Sequence, residues 1–188
     1  LDRIVAALES YCACCQEEFS RTHDHFRLVG QDNLRRYLPV RRLRIRVDRF
    51  DSLFEIFARV CAAKAVGCHA TVSLFENWSS PATDWLQELT RSWLGAVDFV
   101  EETDDELAAQ ILDGQIDRVR YAGPERVPAI IHRAAAESGI YLAHAPVLAH
   151  GRVELLWYLR EQSLSIDYHR YGNLGIRADE ERTRACED

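Results

Sequence analysis

The chain has 188 residues, 47% of them hydrophobic, and a formal net charge of -7, which suits one sizeable core and a single domain. No stretch approaches the roughly 20 unbroken apolar residues of a membrane helix and no signal-peptide pattern opens the chain, so a soluble, intracellular, cytoplasmic protein is expected. The acidic balance argues against nucleic acid as a partner, because binders of a phosphate backbone draw affinity from clustered cations. The sequence opens on Leu1 and contains no Met, and it is expected to begin inside a longer natural polypeptide.

Ile4, Leu8, Tyr11, Cys15 and Phe19 recur near helical spacing, predicting a helix over the first ~22 residues. From His23 to Val40 the pattern breaks around Gly30 and Pro39, giving an irregular crossing segment; in it Gly30, Asp32 and Asn33 read as a tight-turn set. Leu43, Ile45 and Val47 then alternate with Arg42, Arg44 and Arg46, the period of a strand with one buried face. Arg35, Arg36, Arg41, Arg42, Arg44, Arg46 and Arg49 crowd this region, and they read as a solvated strand face or a salt-bridged subunit contact. Lys64 is the only lysine, a bias of composition.

Ser52 and Glu55 form a capping-box pair ahead of Leu53, Ile56, Phe57, Val60 and Cys61, with Gly67 placed as a left-handed stop. A strand at Ala70 to Leu74 leads to Pro81, which suits the first turn of a helix carrying Trp85, Leu86, Leu89 and Trp93 inward and ending at Gly95. Val97 to Val100 reads as a strand, and Thr103 with Glu106 opens a second capped helix through Leu107, Ile111 and Leu112 to Gly114. After a strand at Arg118 to Ala122, Pro124 is expected to start a helix with Val127, Ile130, Ile131 and Ala134 inward, stopped by Gly139 before a strand at Ile140 to Ala143. A helix from about Arg152 to Gln162 and an extended piece from Leu164 to Tyr168 close the chain. Strands alternating with helices predict an α/β fold, a three-layer Rossmann-like domain whose mostly parallel sheet has helices on both faces. Residues 1–40 are assigned to the leading helix and crossing segment, 41–163 to the Rossmann-like domain and 164–188 to a carboxyl-terminal tail.

Cys12 and Cys15 share a helix face at i, i+3 while Cys14 points elsewhere. Cys61, Cys68 and Cys186 supply no second pair for a zinc site, so the reading is free thiols in a reducing compartment and no metal. His23 and His25 show no carboxylate spacing suggestive of a metal cage.

The tail carries the densest information. In REQSLSIDYHRYGNLG, from Arg160 to Gly175, Tyr168, His169, Arg170 and Tyr171 combine large apolar bodies with polar tips, the composition of a contact and not of an idle surface. Tyr168, His169, Arg170, Tyr171, Gly172, Asn173 and Leu174 are taken as a docking segment, with Arg170 pairing a carboxylate and the tyrosines filling apolar pockets.

The order of elements, with AAKAVGCHATVSLFENWSSP and DRVRYAGPERVPAIIHRAAAESGI, resembles the coenzyme-binding half of the aldehyde dehydrogenase superfamily. GQDNLRRYLPV, APVLAHGRVELLWYLREQSLS and DYHRYGNLG are similar to the carboxyl-terminal region of proline utilization A, the bifunctional family that joins proline dehydrogenase to L-glutamate-γ-semialdehyde dehydrogenase. The resemblance implies a parent enzyme using FAD and NAD and associating peripherally with a membrane. It also implies a non-catalytic extra domain that helps close the tunnel between the two active sites, and a terminal motif docked on the catalytic modules of the same polypeptide or of another protomer.

Against that family pattern, several groups are missing. Active members place a glycine-rich turn after the fourth strand, where backbone amides meet the coenzyme phosphates; here the turn reads YAGPERVPAI, with Gly123 retained, Pro124 lacking an amide donor and Pro128 standing where a second glycine is expected. The superfamily's Lys-Pro pair has no lysine in VSLFENWSSP, and LAHAPV, Leu142 to Val147, lacks the general-base carboxylate, leaving His144 as a structural histidine. None of Cys12, Cys14, Cys15, Cys61, Cys68 or Cys186 lies in the strand-end context of the catalytic thiolate. The expectation is a scaffold with no coenzyme of its own. Its alternatives are a surviving NAD-binding or dehydrogenase activity near Gly123, separable by calorimetric titration with NAD, and a redox or metal sensor using Cys12, Cys14 and Cys15, separable by metal analysis.

Overall fold

A computed structural model describes residues 1–93, 95–169 and 172–181. In chain order the elements are α1 (Asp2–Cys14), β1 (Gln31–Pro39), β2 (Leu43–Arg46), α2 (Leu53–Ala65), β3 (Ala70–Leu74), α3 (Pro81–Thr90), β4 (Val97–Glu101), α4 (Asp104–Leu112), β5 (Arg118–Arg120), α5 (Ala129–Ser138), β6 (Tyr141–Ala143), α6 (Gly151–Glu154) and β7 (Leu159–Asp167). Strands β2 to β6 form a parallel sheet of five in the order β4-β3-β2-β5-β6. β2 is central because its residues are apolar or internally paired on both faces.

Each face of the sheet carries its own core. Leu43, Ile45 and Val47 pack with Ala7 and Tyr11 of α1, the apolar side of α2 and Leu86 of α3. Val119 and Tyr121 pack on the other face with Leu107 and Ile111 of α4 and Ile131 and Ala134 of α5. The chain is thus a three-layer α/β domain of Rossmann-like type. A second sheet stands apart from it: β1 and β7 pair antiparallel over their whole length, from Gln31 opposite Asp167 to Pro39 opposite Leu159.

The capping boxes expected at Ser52/Glu55 and Thr103/Glu106 are both made, and Gly95 follows a 3-10 turn, Arg91–Trp93, that prolongs α3. Several local expectations are corrected. The opening helix stops being α at Cys14 and finishes as a π turn, Cys15–Phe19. The crossing segment from His23 to Val40 contains a nine-residue strand, β1, whose ladder is supplied from a distance by β7. Pro124 begins only a 3-10 turn, Pro124–Arg126, and α5 starts after Pro128 because the residue before a proline is held extended.

The helix expected from Arg152 to Gln162 is instead one α turn, Gly151–Glu154, a 3-10 turn, Leu155–Tyr158, and then β7, which crosses the expected division at residue 163. The Arg118 guanidinium donates to Trp157 O (2.8 Å) and Leu159 O (2.9 Å), and Val40 N donates to Tyr158 O (2.9 Å). Those carbonyls are taken by partners outside the segment, so the helix gives way to a strand. At the start of that segment Gly151 lies so close to α1 that an added Cβ would stand 2.5 Å from Ser10 O, a contact that only glycine permits.

Candidate functional site

In an open parallel sheet, ligands bind outside the carboxyl ends of the strands, where the chain order turns from one side to the other. Here that place lies between β2 and β5, and three arginines occupy it: Arg46 (1% exposed), Arg59 (0%) and Arg120 (0%). The solvated-face reading of Arg44 and Arg46 is therefore corrected. A parallel strand is covered on both sides, so an arginine on it must find partners inside the chain.

They do so with few donors left over. Arg46 Nη1 donates to Ser73 Oγ (2.9 Å), Leu74 O (3.0 Å) and Glu102 O (2.9 Å), Nη2 reaches Asp104 Oδ1 (2.8 Å), and the guanidinium lies 3.8 Å from the Phe75 ring centroid. Arg44 pairs with Glu102 at 3.2 Å. Arg59 donates to Glu55 O (2.9 Å) and Arg46 O (2.7 Å) and ion-pairs with Asp51, whose other oxygen takes Arg126. Arg120 meets Glu154 Oε1 (2.8 Å) and Ala145 O (2.7 Å), and Glu154 also accepts from Tyr158 Oη (2.9 Å) and Leu148 N (3.0 Å). Burial works against the charge on Arg120, but Tyr158 and Glu154 hold its pKa above the ordinary arginine value. Carbonyls at the ends of β2 to β5, which open toward a ligand in a working crevice, are thus met by the protein's own guanidinium groups.

Helix N-termini on this edge are closed as well. Ser52 and Glu55 exchange hydrogen bonds at 3.3 and 2.7 Å, Ser80 and Thr83 at 3.2 and 2.8 Å, and Thr103 and Glu106 at 3.2 and 2.8 Å. At α2, α3 and α4 the N-cap and N3 amides, two of the donors a helix start offers a phosphate, already have side-chain acceptors. Partial burial opposes ionisation of Glu55, yet the Ser52 amide and hydroxyl hold its carboxyl below the usual range, so α2 presents a carboxylate where a phosphate would sit. After β5, Gly123 is extended, Pro124 has no N–H, the Glu125 carboxylate would meet a Cβ on Gly123 at 2.5 Å, and Pro128 stands at the start of α5. These residues do not fit a dinucleotide pyrophosphate.

His144 faces His132 edge-on with ring centroids 6.1 Å apart. Cys15 donates to Ala65 O (3.2 Å) and Cys68 to Tyr158 O (3.1 Å), and burial pushes the Cys61 and Cys68 thiols up to about 11. Cys12 is exposed, and Cys186 lies outside the described residues.

The expected docking segment lies at the far end of the β1-β7 ribbon. Tyr168 N donates to Gly30 O (3.0 Å), Gly30 N donates to Tyr168 Oη (3.0 Å), and His169 Nδ1 lies 3.0 Å from Gly30 O. Gly30 has φ +89° and would collide with the His169 ring if it carried a Cβ, so a turn glycine doubles as the seat for the tail. Arg177 stacks on the Tyr168 ring at 3.9 Å and pairs with Asp32 at 2.9 Å. Asn173 accepts from Gly175 N (2.7 Å), Gly172 has φ +81°, and Leu174 precedes a 3-10 turn, Gly175–Arg177. Arg170 and Tyr171 lie outside the described residues. Asn33 accepts from Ser165 (3.1 Å), Arg36 donates to Gln162 (2.6 Å), Arg35 pairs with Glu18 (2.9 Å) and Tyr37 donates to Glu18 (3.4 Å).

Sequence reading did not find Arg59, Arg120, Asp51, Arg126 or Glu154. The available signal was the pair of arginines alternating on β5, Arg118 and Arg120, in a strand whose neighbours demand burial on both sides.

No family model matches the chain, and no curated protein shows significant similarity to it. Solved structures do. Proline utilization A from Corynebacterium freiburgense superposes with a TM-score of 0.61 at 24% identity over 92% of this chain. An aldehyde dehydrogenase from Bacillus cereus in complex with NAD+ gives 0.61 at 20% identity over 75%, and betaine aldehyde dehydrogenase from Staphylococcus aureus in complex with NAD+ gives 0.61 at 16% over 75%. The chain spans 14% of the first protein's length, 29% of the second's and 28% of the third's. At these identities the likeness is one of fold alone, a three-layer Rossmann-like domain.

Proposed function

We propose that this chain is a non-catalytic structural domain of a bifunctional enzyme that converts proline to glutamate, with FAD and NAD held by the catalytic modules and no coenzyme held here. It supports the NAD-dependent L-glutamate-γ-semialdehyde dehydrogenase module and helps seal the channel for the intermediate. The observation that carries this reading is a sheet of the aldehyde dehydrogenase type whose ligand-binding edge is filled by Arg46, Arg59 and Arg120 and rimmed by helix N-termini that are already capped. A scaffold keeps the packing that such a fold supplies and has no use for a crevice.

In this reading Tyr168 to Leu174 form the docking element. Tyr168 and His169 fasten its base to Gly30, while Leu174 and the fully exposed Ile176 (104%) face the catalytic module. Calorimetric titration of the chain with NAD should give no binding heat, and a micromolar dissociation constant overturns the proposal. Within a parent enzyme, ending the polypeptide at Ser163 should lower coupled proline-to-glutamate flux while each half-reaction persists. Unaltered coupling in that truncation would sink the channel-sealing role alone.

A further inference from the structure

We propose that Cys12 and Cys61 are a peroxide-responsive dithiol that closes to a disulfide and pins α1 to α2. The helices run side by side in the same direction, as two contacts show: the Arg3 guanidinium lies 3.7 Å from the Phe54 ring centroid near their starts, and Cys15 Sγ donates to Ala65 O at 3.2 Å near their ends. One turn earlier on each helix brings Cys12 opposite Cys61, since residues three or four apart share a helix face. Both cysteines line one small cleft of about 130 Å³ walled by Leu8, Tyr11, Lys64, Ala65 and Trp93. Cys12 is exposed and Cys61 half-buried. That is the arrangement of an attacking thiol that meets oxidant and a resolving thiol held behind it.

The chemistry balances with hydrogen peroxide as the oxidant. The Cys12 thiolate attacks one peroxide oxygen, the O–O bond breaks, hydroxide leaves, and the sulfur becomes a sulfenic acid. Cys61 Sγ then attacks Cys12 Sγ; the S–S bond forms, the S–O bond breaks, and the departing oxygen takes the Cys61 proton to leave as water. Two thiols lose two electrons in all, and the peroxide is reduced to two molecules of water. Burial, with the nearby Cys12 adding to it, pushes the Cys61 thiol up to about 11, so the second step should quicken as pH rises, by about tenfold per unit below that value. Cys15 is committed to Ala65 O, and Cys68 lies under Tyr158.

The test is mild oxidation of the reduced full chain with stoichiometric hydrogen peroxide, followed by thiol counting and tryptic mapping without reductant. Cleavage after Arg3, Arg21, Arg59 and Lys64 yields peptides 4–21 and 60–64. The expected result is the loss of two thiols per chain together, with peptides 4–21 and 60–64 joined through Cys12 and Cys61 and released by dithiothreitol. Cys12→Ser should abolish the joined species, and Cys15→Ser should leave it in place. A Cys12 sulfinic acid with Cys61 still free, a Cys12–Cys15 linkage, an intermolecular Cys12 dimer, or no thiol loss would each overturn the proposal.

Discussion

The carboxyl edge of the parallel sheet and the β1-β7 ribbon treat their polar residues in opposite ways. At the sheet edge, Arg46, Arg59, Arg120, Asp51 and Glu154 are buried and matched to one another or to strand carbonyls. On the ribbon and its tail, Arg36, Gln162, Asn33 and Ser165 pair across two strands in contact with solvent, and Phe26, Val29 and Ile176 stand exposed. The first region has turned inward a place where related folds receive ligands. The second leaves apolar side chains uncovered. What the sheet edge lacks in access it has in internal order, and the exposed apolar side chains stand on the ribbon and tail.

The sharpest way to break this contrast is Glu154→Ala. Removing one partner of a buried pair strands the Arg120 charge and should destabilise the chain by about 3–5 kcal/mol in denaturant unfolding, with a double change of Arg120→Met and Glu154→Leu recovering much of the loss. A cost under about 1 kcal/mol would mean that water reaches this edge and that it is an open site. The next effect is alkaline. Cys61 and Cys68 have folded pKa values near 11 against 9.0 for the free group, so the buried thiol forms stabilise the fold fully below pH 9, and that contribution disappears as pH rises through 11. The loss should be on the order of 3 kcal/mol for each thiol, and Cys68→Ala should flatten the curve. The smallest change is Tyr168→Ala, which should lower global stability by less than about 1 kcal/mol yet speed hydrogen exchange at the Gly30 amide, because the tail opens without the core. Equal protection of Gly30 in that variant would show that the tail is not fastened there.

Much of the sheet domain was legible. Ser52/Glu55 and Thr103/Glu106 announce helix starts through a local, self-contained hydrogen-bond exchange, and strands β2 to β5 alternate with helices at regular spacing. The ribbon was not, because QDNLRRYLP and LREQSLSID are mixed-polarity strands whose ladder comes from residues more than a hundred positions away, beyond any local period. Arg44 and Arg46 misled for a related reason. Alternation with arginine looks like a half-exposed strand until Glu102 and Asp104, at the end of another strand, are known to be within reach. The tail stood out by its composition, but the seat of Tyr168 and His169 at Gly30 and the clasp of Arg177 on Tyr168 and Asp32 depend on long-range geometry that short motifs do not encode.

Because Gln31 finds its partner only at Asp167, a nascent chain leaving the ribosome holds β1 as an unzipped edge until almost all of the described chain has emerged. The parallel sheet has all its strands by Ala143 and is free to assemble first, so closure of the ribbon follows assembly of the sheet. Until then the Phe26 to Pro39 stretch is open to wrong strand pairing, and a chaperone has its greatest influence on it during that interval.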